Sequence, residues 1–384
     1  MSAVEYRFLE PLDVLFLRGN KLFGDPGSFG ESVMPPWPSV AAGALRSLLL
    51  ARDGVDLASF AAGMLEHPVL GTPSNPGRFA VTAFHVASCN VAGHAEILVS
   101  PPADLILSRE DDGSISAQRL RPHPVTGGIQ SSAPLSLLPA LEQADRRKPL
   151  RGYWLRQSGW KKYLDGDLPS RDELLASSDL WRTDLRIGLA LDPDKRRAAK
   201  GALFSSQAIV MHKRGSGDSN DLNVGFLVGC VGAALPPSAV VRLGGDGRSA
   251  AMYGVSTSLP EADLESITRA RRCRLILTTP GIFPDGWKLP GLDADDRMRI
   301  GDVTARVVCA AVPRYEVVSG WDIARNRPKS ARRAVPTGSV YWLEELEATP
   351  QQLRKLAEAG LWTDSWHDAQ RRAEGFNRFA LAAY

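Results

Sequence analysis

Cysteine is scarce in these 384 residues: Cys89, Cys230, Cys273 and Cys309 are the four, and none forms a C-x-x-C pair. They read as reduced, buried thiols, which argues against a disulfide scaffold or cysteine-built zinc site and points to the cytoplasm. Histidine is nearly as rare, with six. His85, Cys89 and His94 are close in sequence, but their spacing fits no standard zinc pattern, so neither a metal nor a cofactor is expected. There is no G-x-S-x-G, H-E-x-x-H, Walker loop or complete G-x-G-x-x-G, which sets aside the common hydrolase, zinc-protease and nucleotide-fold readings. Gly244-Gly245-Asp246-Gly247 lacks the strand–helix context of a dinucleotide loop. The longest apolar stretch, near Gly225 to Leu235, is too short and glycine-rich to cross a bilayer. Glu5, Arg7, Glu10 and Asp13 argue against a secretory leader. No repeat of 20 to 50 residues is visible. The net charge is only +3, so no global field calls for a polyanion.

Turns are abundant, with 35 glycines and 27 prolines. The length suits two domains, and the linker Lys213 to Asn220 suggests a division into 1–220 and 221–384. Tyr6 to Leu17 reads as a strand broken at Pro11. A loop follows at Arg18-Gly19-Asn20-Lys21, then a helix with Ser39 as N-cap and Gly54 just past its end. Gly43 inside that helix costs about 1 kcal/mol against alanine; either close packing on a sheet or the approach of a ligand backbone would account for it. Strands are expected at Phe79 to Val86 and Glu96 to Val99, with a hairpin across Asp111-Asp112-Gly113. Residues 121 to 140 read as a long loop. Ser170 with Glu173, Ser258 with Glu261 and Thr349 with Gln352 fit capping boxes that open helices. Asp184 to Val210 reads as a projecting hairpin with a basic tip at Lys195, Arg196, Arg197 and Lys200. Strands and a few helices without βαβα alternation favour α+β domains with antiparallel sheets.

Charge is concentrated in four windows beside glycine or proline: Arg18 with Lys21, Lys195 to Lys200, Arg242 with Arg248, and Arg325, Arg327, Lys329, Arg332 and Arg333. Together they favour a surface that binds the backbone of a nucleic acid. Phe23, Trp37 and Trp321 lie close enough in sequence to stack unpaired bases, although core packing explains each of them equally well. His123, between two prolines, is the one candidate acid/base, and its partner cannot be read from sequence.

Several of these stretches occur in a familiar order: LEPLDVLFLRGNKLFG (9–24), PPWPSVAAGALRSLLL (35–50), RIGLALDPDKRRAAKGALFSSQ (186–207), VRLGGDGRSA (241–250), GIFPDGW (281–287), SGWDIARNRPKSARRAVPTGSVYWLE (319–344) and EGFNR (374–378). With them the chain resembles, nearly end to end, the Cas5-like RAMP subunit of type III-B (Cmr) CRISPR effector complexes. The resemblance implies two ferredoxin-like (RRM-like) domains with a β-hairpin thumb. It also implies a non-catalytic subunit that holds the 5′ tag of the CRISPR RNA (crRNA) between the large polymerase-like subunit and the repeated backbone subunit. Carried onto this sequence, Arg18, Gly19, Asn20, Lys21, Ser39 and Arg46 would face the tag. Lys195, Arg196, Arg197 and Lys200 would form the thumb tip, and the loop from His123 to Gln130 would receive flipped bases. Arg242, Arg248, Arg325, Lys329, Arg332, Arg333, Asn377 and Arg378 complete the expected RNA contacts. EGFNR holds one glycine where the superfamily has a glycine-rich segment. The loop at Arg242 to Arg248 reads either as RNA-facing or as a tight turn that packs the domains. A metal-free endoribonuclease using His123 is the rival reading.

Overall fold

The computed structural model describes residues 3–19, 29–124, 134–142, 147–192, 194–195, 197–212, 222–322 and 325–384. Glu5–Pro11 is an inner strand of a six-stranded antiparallel sheet. Leu222–Val231 pairs with it on one side and Ser249–Gly254 on the other. Ala80–Asn90 and Ala95–Leu98 extend the first side, Ser238–Arg242 the second. The expected division at residue 220 therefore falls within the span of sequence that builds this sheet. Both faces are covered, so adjacent Phe8 and Leu9 are each fully buried. Pro38–Arg52 forms a helix whose Ala41, Leu45 and Leu49 pack with Leu9, Val81 and Phe226. Ser39 is not its N-cap. Trp37 takes that position and Pro38 is the first helical residue, where a missing N–H costs nothing and the ring presets φ. Gly54, at φ 65°, ends the helix as expected.

A second antiparallel sheet, of five strands, has the order Arg297–Ile300, Val303–Ala311, Val340–Glu347, Cys273–Leu277, Phe379–Ala382. Helices Leu264–Ala270 and Pro350–Ala359 lie over its second cluster of core residues. Thr349 and Gln352 form the expected capping box. Ser258 with Glu261 does not: Asp263 is the cap, accepting from the Glu265 and Ser266 N–H groups. Leu259 precedes Pro260 and is steered away from helical angles, which delays the start. Four core strands of each sheet, numbered in chain order, stand in the same spatial order, 4-1-3-2.

Residues between the sheets' strands supply what joins them. Leu105–Arg109 pairs with Ile115–Arg119 as expected. The run 121–140 is not wholly a loop, since Arg121–Pro124 pairs with Leu137–Ala140; residues 125–133 lie outside the described residues. Gln157–Asp165 is a helix that its basic and aromatic composition did not announce. Ser170 and Glu173 make their capping box, but it opens only a single 3-10 turn before strand Leu174–Ala176. Trp160, Tyr163 and Leu164 of the helix pack in one cluster with Phe8 and Leu227 of the first sheet and Ile276 and Trp342 of the second. Trp181–Asp192 and Arg197–Met211 form the long expected hairpin. The whole is a mixed α+β protein in which antiparallel pairing dominates. Among the described residues, no helix is long and apolar enough to cross a membrane.

Candidate nucleic-acid interface

The opening segment passes under the root of the hairpin. Leu15 and Ile209 exchange backbone hydrogen bonds at 2.8 Å each way. The Gly245 N–H donates to the Phe16 carbonyl at 2.8 Å. Gly244, at φ 79°, lies so close that a Cβ there would come within 2.7 Å of that carbonyl oxygen. The glycine loop is thus a tight turn packed on the opening segment, and its charged residues stand around the contact. Arg18 Nη2 lies 3.5 Å from Asp246 Oδ1, and Arg248 pairs with Asp13. The guanidinium groups of Arg248 and Arg186 sit 5.4 and 5.9 Å from the centre of the Phe16 ring. Arg18, Gly19, Arg242 and Arg248 therefore gather at one end of the first sheet, beside the hairpin. These ion pairs are solvent-accessible, worth about 0–1 kcal/mol each, so a phosphate can replace a carboxylate at little cost. Lys195 and Arg197 are exposed at the hairpin tip and Lys200 lies on its second strand. Asn20, Lys21, Phe23, Gln130 and Arg196 lie outside the described residues.

A second group forms where the first helix meets the C-terminal turn. Ser39, Gly43 and Arg46 share one helix face by their spacing. Gly43 is exposed, and a Cβ there would meet nothing within 4 Å. Packing on the sheet therefore does not explain this glycine. Arg46 Nη1 lies 3.9 Å from Glu374 Oε1, and the same carboxylate takes Lys329 Nζ and, at 3.0 Å, Arg371 Nη1. Burial alone would push the Glu374 carboxyl up, but Lys329 and Arg371, with Arg46, hold it below the usual carboxylate range. Three cations around one carboxylate leave positive charge to spare.

The remaining candidates divide. Arg325 pairs with Asp322 at 3.3 Å; Arg332 and Arg333 are exposed, with Arg333 4.9 Å from the centre of the Tyr315 ring. Trp321 is 56% exposed, whereas Trp37 is buried and donates to Glu316 at 3.0 Å; Trp37 is a core residue, not a stacking platform. Asn377 is fully buried, accepting from the Ile282 N–H and donating to the Leu361 carbonyl, so it holds the chain and faces no ligand at the surface. Arg378 is also buried and donates to the carbonyls of Glu358 and Val81, apart from the Arg18 group. His123 Nε2 lies 2.9 Å from Glu142 Oε1. Arg186 and Phe16 were missed in the sequence; outward alternation along DLRIGL was the available signal for Arg186. Glu374 was passed over because its partners are distant in sequence.

The fold and this surface define a mixed α+β protein with two antiparallel sheets and a charged face at the hairpin root. A family model described as CRISPR-associated protein (Cas_Cmr3) matches residues 7–383, and the chain belongs to that family. No curated protein matches. Among solved structures, a chain of the type III-B Cmr-beta complex bound to cognate target RNA and AMPPnP, state 1, is similar at 14% identity and a TM-score of 0.44, over 88% of this chain and 86% of that one. A chain of the Cmr-beta complex bound to cognate target RNA alone matches over the same shares, at 14% identity and a TM-score of 0.43.

Proposed function

We propose that this subunit is a non-catalytic RNA-holding piece of its effector complex, gripping the 5′ tag of the crRNA and bridging the large polymerase-like subunit to the repeated backbone subunit in the cytoplasm. The observation that carries the reading is the convergence of Arg186 and Arg248 on the Phe16 ring, with Arg18 two residues along and against Asp246, at the hairpin root. Three stretches remote in sequence meet there, each bringing a guanidinium, beside the hairpin. Guanidinium groups on phosphates position a strand without reading its bases. The hairpin then separates tag from guide, and the Ser39–Gly43–Arg46 helix face takes a neighbouring stretch of backbone. Each sheet, with its 4-1-3-2 order, is a ferredoxin-like unit that keeps one helix of the usual two: the first keeps Pro38–Arg52, the second Pro350–Ala359.

The test is the salt dependence of binding to tagged crRNA. Arg18→Ala with Arg248→Ala lowers the slope of log K against log[salt] by about 0.7 for each phosphate that is no longer neutralised. An unchanged slope and unchanged affinity would remove this surface from the interface. In the same preparations, repeat RNA held in EDTA stays intact; cleavage that His123→Ala abolishes would instead establish the endoribonuclease reading.

A further inference from the structure

A cavity of about 740 Å³ opens between the first sheet and the C-terminal segments, within the size range of small-ligand sites. Arg78, Arg354, Arg372 and Arg378 line it, against Glu261 and Glu358. Among the described residues, none of these four arginines makes an ion pair. Arg378 is the telling one. It is 6% exposed, spends its two terminal nitrogens on backbone carbonyls, and leaves Nε without an acceptor. A buried charge with no counter-charge is costly, by several kcal/mol in a real protein. Burial, and then the nearby Arg372, push its pKa down to about 10, so it remains a cation at neutral pH. The Thr82 hydroxyl, in the same wall, is also buried without a partner. A fold that keeps unpaired guanidinium groups around one cavity is missing an anion. His85, Thr278 and His367 add polar groups to the wall, and Leu353, Phe379 and Leu259 give it an apolar stretch, which suits an anion carried on an organic group.

We propose that this cavity binds a phosphate ester, with Arg354, Arg372 and Arg378 supplying the charge. This is a second anion site, built from other residues than the hairpin-root surface, and it does not depend on that surface binding RNA. A free nucleotide and the backbone phosphate of an RNA strand share this chemistry, and the experiment separates them.

The full chain is melted in inorganic phosphate, in AMP and in an eight-nucleotide single-stranded RNA, each against chloride at equal ionic strength. A ligand of the folded state raises Tm with its concentration. Phosphate is expected to raise Tm where chloride does not. Arg354→Ala with Arg372→Ala, both exposed side chains, is expected to weaken phosphate and AMP binding at least tenfold. AMP binding more tightly than the RNA assigns a free nucleotide. The reverse order, with RNA binding weakened by the Arg354/Arg372 pair, assigns a backbone phosphate. Equal melting in phosphate and chloride, or a double variant that binds like the wild type, overturns the proposal.

Discussion

Arg274 and Asp104 meet at 2.7 Å with 1% and 0% of their side chains exposed. Asp104 also accepts from the Tyr163 hydroxyl, and Arg274 donates to the carbonyls of Tyr163 and Ala383. Burial, with the Asp104 charge beside it, pushes the Tyr163 phenol well up, so it stays a donor. Such a pair contributes less by its attraction than its loss would cost, because removing one member strands the other in the interior. Asp104→Ala is therefore expected to destabilise the protein by about 3–5 kcal/mol, read by urea denaturation. Adding Arg274→Met should recover much of that loss. If the double variant is no more stable than Asp104→Ala alone, the stranded charge is not the cause. None of this was legible in the sequence. Arg274 sits in CRLILT, an unremarkable strand, and its partner is 170 residues away. The buried Asn377 misled for the same reason: a polar residue in a terminal turn looks exposed until the chain that folds over it is known.

Elements were more legible, because their signals are local. The hairpin, the Thr349 capping box and the strands around Asp111 to Gly113 follow from alternation and turn chemistry within a few residues. Two of the slips trace to a proline: Pro38 displaced Ser39 as a cap, and Pro260 delayed the helix that starts at Leu264. The first helix also carries an element-scale test. Gly43 has open space above it, so Gly43→Ala should stabilise the fold by about 1 kcal/mol. If RNA backbone approaches that face, the same methyl should weaken binding to tagged crRNA. A variant that is more stable and binds equally well would take the helix face out of the interface. The opposite signs matter, since a damaged fold could not produce both.

At the scale of the whole molecule, the sequence showed α+β character and antiparallel sheets but misplaced the seam. A polar, glycine-containing linker marks a break in composition, and strand pairing ignores it. Leu222–Val231, Ser238–Arg242 and Ser249–Gly254 all belong to the sheet that Glu5–Pro11 begins. A fragment ending at residue 220 lacks three of six strands and should show no cooperative melting by circular dichroism; a sharp transition would mean that the remaining strands suffice. The same pairing sets an order of events during synthesis. Glu5–Pro11 leaves the ribosome with neither neighbour made, and the first arrives over two hundred residues later. At roughly 5–20 residues per second, the opening strand waits on the order of ten to forty seconds with both edges bare. Its apolar residues are then available to chaperones or to other nascent chains, so polysome crowding and translation speed bear on how much of this protein reaches its folded state.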